Sequence, residues 1–181
     1  EVREELALYY SSVRRADDCL NEVLKALRKS GQWENTMIVF LSDHGMPLPF
    51  AKTQLYHHST RTPLMVRLPG TTRAGKLESR HMVSVLDLLP TVLDSLGVPK
   101  PKRLDGRSFL PLLRGEKQEN RDYVIKEYNE NAGRSRDPMR AIQSKTHLYL
   151  FNPWSNGERI FATATNGTVT CKRMIKLSEE D

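Results

Sequence analysis

One run constrains this chain more than any other: Thr36-Met37-Ile38-Val39-Phe40-Leu41-Ser42-Asp43-His44-Gly45. Its apolar, β-branched part reads as a strand from the interior of a sheet. The run stops at a carboxylate, an imidazole and a glycine. In open α/β sheets, ligands bind beyond the carboxyl ends of the strands, and Gly45 permits a sharp turn at that point. Asp43 and His44 are therefore candidate metal ligands.

Around this run the pattern alternates. Residues 2–30 read as a long amphipathic helix, with Leu6, Tyr9, Val13, Leu20, Leu24 and Leu27 recurring at three- and four-residue intervals. Gly31 is placed to cap it, and Cys19 is expected on or near its packed side. Residues 63–68 form a second, shorter strand pattern. Asp87 is placed as the N-cap of a helix over 88–96 ending at Gly97, and 110–113 reads as a short helical turn. Strands are expected at 123–127, 139–143 and 147–151, and Asn166-Gly167 carries the signal of a tight hairpin. Helices alternating with strands, then short strands alone, predict an α/β layer followed by a smaller β-rich piece.

The 181 residues suit one domain with a sizeable core. The net charge of +6 favours anionic partners, although most of the Lys and Arg read as solvated surface. The chain carries no aromatic-basic module, zinc finger or recognition helix, so no nucleic-acid partner is expected. No apolar stretch approaches the roughly 20 residues that span a bilayer, so no membrane is expected either. Cys19 and Cys171 make neither a disulfide framework nor a zinc cluster. The chain begins without Met, already in helical rhythm, and ends on an acidic run with no obvious closing element. It is read as a piece of a longer protein.

Four segments, taken in order, resemble the sulfatase family of the alkaline phosphatase superfamily. They are Phe40-Leu41-Ser42-Asp43-His44-Gly45; Lys52, nine residues after Asp43, with Arg61-Thr62-Pro63-Leu64-Met65-Val66; Leu86-Asp87-Leu88-Leu89-Pro90-Thr91; and Leu104-Asp105-Gly106-Arg107-Ser108-Phe109. Pro138-Met139-Arg140-Ala141-Ile142 and Met46-Pro47-Leu48-Pro49 look most like the branch containing heparan N-sulfatase. The resemblance implies a partial alkaline-phosphatase-like sandwich, a sheet flanked by helices. Residues 1–115 would be the C-terminal part of the catalytic domain and 116–181 a smaller, truncated β-rich segment. It also implies Ca²⁺ held by Asp43 and His44, a sulfated carbohydrate as substrate, and an extracytoplasmic location.

By residue chemistry alone Asp43 suits a hard cation, whereas an imidazole prefers softer metals, so zinc and manganese stay open. Lys52 is the candidate catalytic and sulfate-binding cation, since a preorganised charge stabilises a developing oxyanion. His57 and His58, between Lys52 and Arg61, are candidate substrate contacts, and Arg61 is assigned a structural salt bridge. Glu127, Asn129, Glu130 and Asn131 form a polar cluster read as a solvated loop that could line a pocket. One departure from the family is large. Its formylglycine nucleophile arises from a Cys/Ser-x-Pro/Ala-x-Arg motif, yet Cys19 is followed by Leu20-Asn21-Glu22 and Cys171 by Lys172-Arg173-Met174. The paired N-terminal aspartates are absent too. The expectation is half of a site, completed by the N-terminal remainder of the same protein and inactive alone. Two alternatives stand beside it: a metal-dependent phosphodiesterase or phosphonate hydrolase of the same superfamily, and a non-catalytic polyanion-binding module.

Overall fold

The computed structural model describes residues 2–119, 121–130, 136–158, 161 and 163–180. Helix α1, Val2–Lys29, ends at Gly31, whose φ of 73° is the left-handed turn that glycine adopts without strain. Strand β1 follows at Ile38–Leu41 and pairs antiparallel with β2, Leu64–Arg67, in the register Ile38↔Arg67 to Leu41↔Leu64. Between them lies a loop carrying the short helix α2, His57–Thr60. Helices α3, Leu88–Ser95, and α4, Leu110–Arg114, lead to a three-stranded antiparallel sheet of β3, Val124–Glu130, β4, Arg136–Gln143, and β5, Leu148–Phe151. Helix α5, Val169–Glu180, ends the described chain. The mixture of helices and sheets is the α/β class that the alternating pattern predicts.

Two expectations about burial are corrected. β1 is half-buried in a two-stranded sheet, with Leu41 at 37 % exposure, rather than a sheet interior. α1 buries no residue, and Cys19 is exposed. Both elements have the composition of packed structure, but no described segment covers them fully.

The end of the chain also differs from expectation. Asn166-Gly167 does not form a hairpin. The Thr168 hydroxyl oxygen accepts the Cys171 N–H at 3.2 Å and caps α5. The Glu5 carboxylate of α1 accepts the Thr170 N–H at 3.1 Å, and the Thr170 hydroxyl as well. A carboxylate suits the positive end of a helix, and these bonds hold the Glu5 carboxyl below its ordinary range.

A polar knot ties residues 84–121 together. A 3-10 turn at Val85–Asp87 precedes α3, and the Asp87 carboxylate does not cap that helix. It turns back instead, accepting from the N–H of Ser84 at 2.8 Å, the N–H of Arg107 at 2.9 Å and the Arg121 guanidinium at 2.7 Å. Buried to 1 % exposure, it has a donor from each of three segments. The Thr91 hydroxyl donates to the Asp87 carbonyl and accepts the Phe109 N–H. Gly106 passes so close that a Cβ there would lie 1.9 Å from the Leu86 carbonyl oxygen. The two downstream motif segments thus dock onto each other.

The other buried centre is small and apolar. Leu55, Met139 and Ala141 pack with Tyr128, Leu148, Leu150, Trp154 and Phe161, fastening the loop before α2 onto the three-stranded sheet.

Candidate functional site

The Ser42–Gly45 turn at the end of β1 sets the geometry. The Gly45 N–H donates to the Ser59 carbonyl at 2.9 Å. A Cβ on Gly45 would lie 2.0 Å from the His58 carbonyl oxygen and 2.5 Å from that of Ala51. Only glycine fits this approach. The turn bearing Asp43 and His44 is therefore pressed against the backbone of Ala51, next to Lys52, and of His58 on α2. The backbone segments that carry candidates up to fifteen residues apart thus pack together in one loop cluster.

Asp43 is open, its side chain 84 % exposed, and His44 is 40 % exposed. Asp43 Oδ1 accepts the His44 N–H at 2.9 Å. His44 Nδ1 lies 2.8 Å from the Gly45 carbonyl oxygen. A carbonyl only accepts, so Nδ1 carries the proton and donates to it. In the neutral imidazole the Nε2 lone pair then faces Asp43 Oδ2 at 3.5 Å. Two acceptors turned toward each other are relieved by a cation or a proton between them. A carbonyl that fixes the tautomer of a ligating histidine is also a usual accompaniment of metal binding. The two side chains fit a metal as part of a ligand set. Among the described residues no group of three or more His, Cys, Asp or Glu gathers to complete one.

Lys52 sits on a strained loop. Phe50 has φ of 62° and Thr53 φ of 56°, the left-handed region that a β-branched residue rarely enters. Such strain persists only where surrounding structure imposes it, often at functional sites. The Thr53 hydroxyl secures the loop, donating to the Lys52 carbonyl at 2.8 Å and accepting the Ala164 N–H at 3.1 Å. The Lys52 side chain is half-buried, and its ammonium makes no hydrogen bond or ion pair among the described residues.

His57 and His58 pack ring edge to ring face, their centroids 5.7 Å apart. His58 is exposed, while His57 is half-buried and bonded to Gln143 at 2.7 Å. An open groove runs past Asp43, His44, Thr53, Gln54, Arg61 and Lys126. Lys52, His57 and His58 are not among its lining residues. Arg61 forms no ion pair among the described residues, so the expected salt bridge is corrected. Its guanidinium is exposed to solvent instead.

The polar cluster is corrected in part. Glu127, Asn129 and Glu130 belong to β3 rather than to a loop. Glu127 lines the groove and pairs with Arg140 at 3.4 Å, and Glu130 pairs with Arg136 at 3.7 Å. Asn131 lies outside the described residues. Two residues here escaped the sequence reading: Lys126, whose ammonium burial pulls down to about 8, and Gln143. Each stands alone in its strand, and only strand pairing brings them to α2, so no linear signal marks them.

The comparisons with known proteins follow the same outline. The human N-sulphoglucosamine sulphohydrolase is 38% identical over 123 residues, which is 63% of this chain and 24% of that protein. The multifunctional alkaline phosphatase superfamily protein PehA of Trinickia caryophylli is 39% identical over 118 residues, 62% of this chain and 23% of that protein. A solved 2-O GAG sulfatase superposes with a TM-score of 0.66 at 27% identity, covering 88% of this chain and 37% of the other. The chain thus spans about a quarter of the length of the curated relatives it matches. The sulfatase family model matches residues 1–98, from α1 through the Asp43–His44 turn and Lys52 to the end of α3. With more than half of its residues accounted for in this way, the chain belongs to the sulfatase family.

Proposed function

We propose that the chain supplies the C-terminal part of a sulfatase catalytic centre that removes sulfate from a sulfated sugar or glycosaminoglycan. In this reading residues 1–115 belong to the catalytic α/β domain and 116–181 to a smaller β-rich companion. The N-terminal remainder of the same protein brings the formylglycine nucleophile and the other metal ligands. Sulfated carbohydrate is favoured because relatives bear the names N-sulphoglucosamine sulphohydrolase and 2-O GAG sulfatase. An extracytoplasmic setting belongs to the same proposal. No helix among the described residues is long and apolar enough to cross a membrane.

The observation that carries this reading is the Asp43 carboxylate facing His44 Nε2, with Nδ1 tied to the Gly45 carbonyl. Asp43 and His44 would hold Ca²⁺, which neutralises charge on the sulfate and the attacking oxygen. Lys52, raised on its strained loop, would donate to a sulfate oxygen and stabilise the charge that grows there. His57 and His58 would contact the substrate beside it. With neither Cys19 nor Cys171 in a nucleophile motif, the 181-residue chain should not turn over by itself.

Metal binding tests the proposal directly. Mn²⁺ added to the ¹⁵N-labelled chain should broaden the amide signals of Ser42, Asp43 and His44 first. Ca²⁺ in excess should reverse the broadening, and Asp43→Ala should abolish it. Broadening centred elsewhere, or unchanged in Asp43→Ala, would overturn the metal assignment. Reversal by Zn²⁺ but not by Ca²⁺ would favour the phosphodiesterase or phosphonate hydrolase reading. Sulfatase activity from the isolated chain, free of host enzyme, would contradict the half-site.

A further inference from the structure

The β3–β4 register pairs Lys126 with Ala141 and Val124 with Gln143, so Lys126 and Gln143 are diagonal neighbours on one face of the sheet. That face also carries Met139 and Ala141 and is packed against Leu55, just before α2. Three acceptors surround the Lys126 ammonium: the Leu55 carbonyl at 3.4 Å, the Thr60 hydroxyl at 2.5 Å and the Gln143 side-chain oxygen. An ammonium can only donate. The Gln143 amide is therefore oriented without ambiguity, its oxygen toward Lys126 and its NH₂ toward α2.

That NH₂ lies 2.7 Å from His57 Nδ1. An amide NH₂ can only donate, so Nδ1 must present its lone pair, and the single proton of the neutral ring sits on Nε2. A proton on Nδ1 would set donor against donor. We propose that Gln143, oriented by Lys126, is a positioning residue that locks His57 as the Nε2–H tautomer. His57 then meets a ligand as a hydrogen-bond donor, and neither as a base nor as a metal ligand. The lock crosses between regions, since residues on the three-stranded sheet dictate the chemistry of a side chain on α2. Neutral and donating, His57 matches an anionic oxygen such as one on a sulfate. That last step rests on the sulfatase reading above; the tautomer itself does not. His44 shows the opposite arrangement, with its proton on Nδ1 and its Nε2 lone pair turned toward Asp43 Oδ2. The two imidazoles are thus set for complementary tasks.

Long-range ¹H–¹⁵N correlation spectra of the labelled 181-residue chain report which ring nitrogen of each histidine is protonated. His57→Gln identifies the His57 signals among the five histidines. At neutral pH the wild-type spectrum should show His57 Nδ1 as the bare, imine-type nitrogen and Nε2 as the protonated one. Gln143→Glu replaces the donor by an acceptor of the same shape and should move a proton onto Nδ1. Gln143→Leu should give a mixture of tautomers. A wild-type His57 protonated at Nδ1, or a His57 pattern that Gln143→Glu leaves unchanged, would overturn the proposal. The wild-type spectrum needs no variant to fold. Failure here leaves the Mn²⁺ result at Asp43 untouched, and failure there leaves this one standing.

Discussion

The Asp87 knot and the Asp43–His44 turn both centre on an aspartate in a motif segment, and they are built in opposite ways. Asp87 is sealed, with donors from Ser84, Arg107 and Arg121 on its two oxygens. Asp43 is open, takes one backbone N–H from its own neighbour, and points its other oxygen at an imidazole. A carboxylate satisfied from several segments works as a fastener. A carboxylate left open beside a second ligand, on a turn that only glycine permits, is available to something outside the described chain.

Several measurements would break or sharpen this contrast. Asp87→Ala should have the largest effect, destabilising the chain by about 3 kcal/mol, because it strands a half-buried guanidinium and two backbone donors. A urea midpoint close to wild type would show that the knot is not the fastener described here. Gly45→Ala comes next, at about 2 kcal/mol, since its Cβ would collide with two backbone carbonyls. If the variant matches wild-type stability, the close packing of the turn against Ala51 and His58 is wrong.

A smaller, pH-dependent effect belongs to the segment just before the knot. Glu78 accepts from the His81 ring at 3.0 Å and from the Arg80 N–H at 2.8 Å, and these bonds hold its carboxyl down at about 2 from an ordinary 4.5. The unfolded chain therefore binds the proton first on acidification. The stabilisation is complete above about pH 4.5 and is lost as the pH falls toward 2. Glu78→Gln should show a shallower fall in stability across that window than wild type, and identical slopes would remove Glu78 from the account. Asp43→Ala should change least. An exposed side chain outside any such mechanism shifts stability by no more than about 0.5 kcal/mol. A loss as large as that of Asp87→Ala would erase the distinction between the two aspartates.

Much of the architecture is legible in the residues. α1 and its glycine stop, β1, β2, α3, α4 and the three later strands all follow from periodicity and caps. The errors have physical causes. Asn166-Gly167 is a strong hairpin signal only when two strands flank it; here Thr168 caps α5, which Glu5 of α1 then secures from a distant part of the chain. Asp87 has the right residue type for an N-cap, but a buried carboxylate reached by Arg107 and Arg121 finds better partners. The apolar run at 36–42 does form a strand, but hydrophobicity states what a strand can be buried by, not what is present to bury it. Asp43 and His44 stand out as candidates because they end that run, and Lys52 because its spacing from them resembles the sulfatase pattern.

The order of the motif segments, the strand that ends in Asp-His-Gly and the want of a nucleophile motif are properties of the sequence alone, because each depends only on residue type and short-range spacing. The tertiary structure decided which acceptor meets which donor: the Gly45 carbonyl at His44 Nδ1, and the Gln143 amide at His57 Nδ1. Tautomer and exposure follow from groups brought together across turns and strands, and no local pattern encodes such a meeting.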